Sequence, residues 1–235
     1  EEEGVETLLT LKPAEAPGWH AFTVESCVSP GEWVMHCQGT VHADTGPVDA
    51  LSKRQARIPV VEEALGQHVP GRRWYDAFAR VGFEYGPAFQ QLERARTERG
   101  VPQAAGVVTV RDTSDRVTGE SRALVHPVTI DACLHLVIVS VHAGRHREMP
   151  WGVVPTRIDE VAVAMPRPDD VAPAPGRAFA WTDARDGRAF NTHAQLLSQS
   201  RHTLVDIKNL TCVAYEAAVP VSAGDEAPPA PFSTV

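Results

Sequence analysis

The sequence predicts an α+β fold in which antiparallel strands surround one long buried helix, and three observations carry that expectation. Apolar and polar residues alternate through residues 5–41 and again in runs after residue 152, the period of a half-buried strand. Residues 127–142 are apolar around nearly the whole helical circumference, the pattern of a helix covered on every side. Pro-rich and Asp-Gly breaks such as Asp186-Gly187 separate the later runs, which is the chemistry of hairpin turns.

Taken in order, Val5-Glu6-Thr7-Leu8-Leu9-Thr10-Leu11, Phe22-Thr23-Val24 and Trp33-Val34-Met35 predict strands at 5–12, 19–28 and 32–42. The polar stretch after them reads as a linker, with Ala43-Asp44-Thr45-Gly46-Pro47 as turn chemistry. Trp74, Phe78 and Val81 fall at helical spacing, so a short helix is expected over 72–81, with Gly82 as the residue that ends it. Strands follow at 88–98 and 104–111. Pro127 suits the first turn of a helix and opens the one over 127–142. Strands at 153–165, 176–183, 188–198 and 202–214 complete about six around that helix, and the Ala, Pro and Gly-rich tail from Pro220 reads as a linker.

Composition excludes several classes. The 235 residues carry a formal net charge of −8 without a Lys/Arg cluster, so nucleic acid is not an expected partner. No apolar run approaches the ~18 residues of a membrane-spanning helix. Cys27, Cys37, Cys133 and Cys212 are scattered, which suits buried apolar roles in a reducing, cytoplasmic compartment better than a disulfide framework. Glu1-Glu2-Glu3 is no signal-peptide start, and the missing initiator Met gives the expectation of a chain cut from a larger protein. There is no Gly-rich phosphate loop, G-x-S-x-G elbow or dinucleotide fingerprint. His142 and His146 have a chelating spacing but lack an evident third ligand, so no metal is expected. Cys133 reads as a core residue rather than a nucleophile. Arg72, Arg80, Arg94 and Arg96 form a mild basic patch, either a solvated face or a surface for an acidic partner.

The chemistry concentrates in the long helix. Asp131 and His135 interrupt its apolar pattern four residues apart, on one face, so two ionisable groups face the interior or a cavity within it. A buried carboxylate needs a partner or a task. Two roles stay open for Asp131 on this ground alone: a helix cap near the free N–H groups of the first turn, and a catalytic acid.

Here the residues resemble a known family. His126-Pro127 followed by Ile130-Asp131-Ala132-Cys133-Leu134-His135 is similar to the HPxxLDxxxQ/H motif of dehydratase domains of polyketide synthases, and Tyr85-Gly86-Pro87-Ala88-Phe89-Gln90 to their YGPxF segment. Trp33-Val34-Met35-His36-Cys37-Gln38-Gly39 and Val154-Pro155-Thr156-Arg157-Ile158 are similar to strands of the family's two halves. Glu6-Thr7-Leu8-Leu9-Thr10-Leu11-Lys12-Pro13 and Pro231-Phe232-Ser233-Thr234-Val235 resemble the iterative, highly reducing fungal type.

The resemblance covers about residues 5–215. It implies a double hot-dog fold, each half an antiparallel sheet wrapped on one long helix, with residues 1–43 the remainder of an incomplete N-terminal half. Residues 44–70 would be the inter-half linker, 71–216 the C-terminal half and 217–235 a Pro/Ala-rich linker. It further implies elimination of water from a β-hydroxyacyl thioester to an α,β-enoyl thioester, the substrate held on the phosphopantetheine arm of an acyl carrier protein, with no cofactor in the domain itself. Asp131 matches the family's acid and His135 the residue that positions it. Tyr85, Gly86, Pro87 and Phe89 match a substrate-binding loop at the mouth of the site; the alternative for that loop is a tight turn whose Phe89 packs in the core. Neighbouring synthase domains and a second copy of the chain are the other partners implied.

The family's base lies in an HxxxGxxxxP motif that has no copy here. His42 and Gly46 have the right separation, but Leu51 stands where the proline belongs. The expectation is that this part of the first half lies upstream in a parent protein, or that the domain has lost its base and serves as a scaffold. A product-template-like cyclisation domain is a further alternative.

Overall fold

The structure is a computed structural model that describes residues 4–29, 31–44, 58–111, 123–167, 170 and 173–216. The expected tail linker and the central part of the 44–70 stretch fall outside the described residues. The chain forms two compact units that meet in sequence between Pro47 and Val48.

The first unit is a three-stranded antiparallel sheet of β1 (Thr7–Pro13), β2 (Trp19–Ser29) and β3 (Glu32–His42), in that spatial order. Leu9 pairs with Val24 and Leu11 with Phe22, while Val24 also opposes Cys37, so the alternation read from the sequence gathers these side chains on one face. Among the described residues the unit has no helix, and Leu9 and Leu11 stay exposed.

The second unit wraps a seven-stranded sheet around one helix. Its elements are β4 (Gln67–Pro70), α1 (Gly71–Arg80), β5 (Leu92–Thr97), β6 (Gln103–Val110), α2 (Pro127–Val141), β7 (Gly152–Val163), β8 (Ala174–Asp186), β9 (Ala189–Leu197) and β10 (Thr203–Tyr215). The spatial order is β4-β5-β6-β8-β9-β10-β7, antiparallel at every junction. Register shifts within β10, at Ile207/Leu210 and Thr211/Cys212, mark bulges that add bend to a sheet closing on a helix.

The helix α2 is buried as its sequence requires. Ala132, Cys133, Leu136 and Val139 have no accessible surface, and each large apolar side chain so buried contributes ~1.5–3 kcal/mol relative to exposure. Two buried hydroxyls fix its height on the sheet. Thr129 accepts the backbone N–H of Arg111 at 3.0 Å and donates to the Thr109 carbonyl at 3.3 Å, tying the start of α2 to the end of β6. Ser140 lies 3.0 Å from the Thr182 hydroxyl of β8 at the other end.

The structure adds one strand to the expected six. β4 lies at the end of the stretch read as linker, because its four residues include one buried side chain, Val69, and its pairing with β5 supplies what local pattern does not. The strand expected over 88–98 begins only at Leu92, since Pro87–Phe89 forms a 3-10 turn closed by the Phe89 N–H on the Gly86 carbonyl at 2.9 Å. The short helix starts at Gly71 for a steric reason: any Cβ there would run into the Leu92 carbonyl, so only glycine lets α1 lie this close to β5. It stops at Gly82, whose φ of +90° a side chain would disfavour.

Candidate active site

Asp131 and His135 sit one turn apart on α2, and the helix cap is neither of them. The N-cap is His126, whose Nδ1 accepts the Val128 N–H at 3.2 Å. Asp131 is the fifth residue of the helix, past the free N–H groups of its first turn, so the capping alternative for Asp131 does not hold. Its partner is His135, with Nε2 2.9 Å from Oδ2. The contact lacks the geometry of a formed hydrogen bond, and neither atom has another hydrogen-bond partner among the described residues. His135 is wholly buried, whereas the Asp131 side chain is 28% accessible. One oxygen of the carboxyl group therefore faces the histidine, and the accessible part of the side chain can meet a ligand.

An aromatic wall closes around the histidine. The Tyr85 ring lies 4.0 Å from the His135 ring, centroid to centroid, the two planes 61° apart, and Phe78 stands at 5.9 Å. Tyr75 of α1 completes the wall at 5.5 Å, nearly perpendicular, and its hydroxyl is 3.2 Å from His135 Nδ1. That hydroxyl also accepts the Leu92 N–H at 2.9 Å. Burial, with the Asp131 charge adding to it, raises the Tyr85 phenol above its ordinary value, so it stays a proton donor at neutral pH. Burial pushes the Tyr75 phenol up to about 12, Asp131 again adding.

The loop residues fall differently. Tyr85 is half-buried against the site, while Gly86, Pro87 and Phe89 are exposed. Phe89 is 44% accessible, so the alternative in which its ring packs in the core is wrong. Its nearest link to the site is through its backbone, the Phe89 carbonyl lying 3.5 Å from the Tyr75 hydroxyl. Cys133 is fully buried, with its thiol pushed up to about 12 by desolvation first and the Asp131 charge second, which is the chemistry of a core residue. His142 and His146 pack on Trp151 and Trp74, and no group of three His, Cys, Asp or Glu able to hold a metal occurs among the described residues.

Tyr75 and the capping role of His126 are the parts that sequence reasoning missed. A signal existed for the tyrosine: it lies on the apolar side of an amphipathic helix beside Trp74 and Phe78, and a buried phenol needs a polar partner.

A fully buried histidine set against a partly accessible carboxyl group, on the central helix of an antiparallel sheet, is an arrangement able to hold and pass a proton. The family follows from comparison. Residues 54–221, more than half of the chain, match the family model described as polyketide synthase dehydratase N-terminal domain, and the chain belongs to that family. The matched residues lie within the second unit. A reducing polyketide synthase, DEP5, of Alternaria brassicicola is 32% identical over 240 residues, 99% of this chain and 10% of the relative. The chain thus spans about a tenth of the length of that relative.

Solved structures agree on the fold. A dehydratase domain of a trans-AT polyketide synthase from Brevibacillus brevis superposes with a TM-score of 0.67 at 20% identity, covering 92% of this chain and 71% of that one. The CurK dehydratase, known as inactive His-to-Phe and Asp-to-Asn mutants, gives TM-scores of 0.65 and 0.62 at 18% and 17% identity, each covering 91% of this chain and 68% of that one. The fold is the hot-dog fold of polyketide synthase dehydratase domains. No helix among the described residues is long and apolar enough to cross a membrane.

Proposed function

We propose that this chain supplies the acid side of a hydro-lyase site that removes water from a β-hydroxyacyl thioester held on the phosphopantetheine arm of an acyl carrier protein, giving an α,β-enoyl thioester. The observation that carries this reading is the His135–Asp131 pair, 2.9 Å apart, in which the histidine is fully buried and the Asp131 side chain is partly accessible. In the elimination a base takes the α-proton, its C–H electrons form the double bond, and the β-carbon–oxygen bond breaks. The departing hydroxyl takes a proton from the Asp131 carboxyl group and leaves as water. His135 holds Asp131 in place, and Tyr85, still protonated, donates a hydrogen bond to the β-hydroxyl or to the departing water. No cofactor takes part.

In this reading the base would be a histidine that this chain does not carry, in the family's HxxxGxxxxP pattern. The inactivity of both the His-to-Phe and the Asp-to-Asn mutants of CurK supports a two-group mechanism in that protein. The parent would place the carrier protein and other synthase domains beside this one, and a second copy opposite it.

The test is enoyl formation, read by mass spectrometry, from a β-hydroxyacyl thioester given to this chain and to a version extended upstream in its parent. Product from the extended protein alone is expected. Silence from both, with folded protein confirmed, would leave the scaffold reading, which rests on the absence of the HxxxGxxxxP pattern from the sequence.

A further inference from the structure

We propose that Tyr75 is a positioning residue that fixes the tautomer of His135, so that the nitrogen beside Asp131 is the one that carries the proton. Its catalytic consequence rests on the dehydratase reading above; the tautomer itself does not. The argument starts from how many bonds a phenol can make. The Tyr75 oxygen accepts the Leu92 N–H at 2.9 Å, and its O–H is its single hydrogen to donate. Two acceptors are in reach, His135 Nδ1 at 3.2 Å and the Phe89 carbonyl at 3.5 Å, and the nearer one is the ring nitrogen. A ring that accepts at Nδ1 carries its proton on Nε2, the nitrogen 2.9 Å from Asp131.

Three elements converge to set this up. Gly71 lets α1 rest on the Leu92 carbonyl, and Tyr75, one turn later, takes up the N–H of the same residue. The phenol then reaches across to α2, sixty residues on. The fixing matters because the Nε2 contact with Asp131 lacks the alignment of a formed hydrogen bond, so Asp131 by itself holds the ring weakly. A histidine whose second nitrogen is bonded is held in one orientation, as with partners placed behind a metal-bound imidazole.

Tyr75→Phe tests this cleanly. The ring contacts with Phe78 and His135 remain, and because the lost hydroxyl also leaves the Leu92 N–H without its acceptor, circular dichroism confirms folding. In long-range proton–nitrogen spectra of the nitrogen-15-labelled chain, with the His135 signal assigned by its loss in His135→Gln, the wild type should show the Nε2–H tautomer alone. In Tyr75→Phe the Nδ1–H form should appear. In the upstream-extended protein the same substitution should lower kcat ~10-fold or more while KM stays within about twofold, the scale seen for orienting partners. An Nδ1–H tautomer in the wild type, or a pure Nε2–H signal persisting in Tyr75→Phe, would overturn the proposal. A tautomer change in a protein that forms no enoyl product would leave Tyr75 in this role and overturn the dehydratase reading instead.

Discussion

Replacing His135 separates orientation from packing. In His135→Leu the new side chain sits among Tyr75, Phe78 and Tyr85, whose rings leave the position without solvent access, so water cannot take over the imidazole's place opposite Asp131. His135 Nε2 lies 2.9 Å from Asp131 Oδ2, and leaving a buried polar atom without its partner costs ~1–3 kcal/mol. The Asp131 side chain is 28% accessible, which lowers the figure to ~1–2 kcal/mol. If that loss falls on the transition state, kcat drops ~5–30-fold, at ~1.4 kcal/mol per tenfold. His135→Gln keeps an N–H for Asp131 and should stay within about threefold of wild type. The assay is steady-state enoyl formation in the upstream-extended protein, with circular dichroism to confirm folding. Wild-type kcat in folded His135→Leu, or equal damage in both variants, would refute the idea that the histidine acts by orienting Asp131.

Other expectations concern stability and thiol chemistry. Burial lowers His142 from 6.5 to about 4, so below pH 6.5 the unfolded chain binds a proton that the native chain refuses, and stability falls as pH drops toward 4. At ~1.4 kcal/mol per unit the loss reaches roughly 3 kcal/mol, and urea titrations at pH 7 and pH 4 should show a smaller difference in His142→Phe. Gly71→Ala forces a methyl group against the Leu92 carbonyl and should cost ~1–3 kcal/mol, seen as a lower melting temperature in calorimetry. Burial pushes the Cys133 and Cys212 thiols up to about 12 and 11, so a chromogenic thiol reagent should modify Cys27 and Cys37 in the native chain and all four cysteines only in denaturant.

Local pattern made much of this fold legible. β1, β2 and β3 follow simple alternation, and α2 is apolar on every side, so each lies within two residues of its expected limits. β4 was not legible because Gln67-His68-Val69-Pro70 has no period to read, and it is a strand only through its pairing with β5. Asp131 and His135 stood out because charge is conspicuous in an apolar helix. Tyr75 did not, because its partners, Leu92 and His135, lie seventeen and sixty residues away and meet it only after α1 docks on β5 and α2. Proximity to the helix start left Asp131 open to a capping role, and only the observed cap at His126 decides against it.

The most direct measurement is enoyl formation by the upstream-extended protein carrying Asp131→Asn, an isosteric change that removes the acid. The account predicts a folded protein that forms no product above background, with substrate binding retained. Turnover at the wild-type rate would take Asp131 out of the mechanism and contradict the site described here.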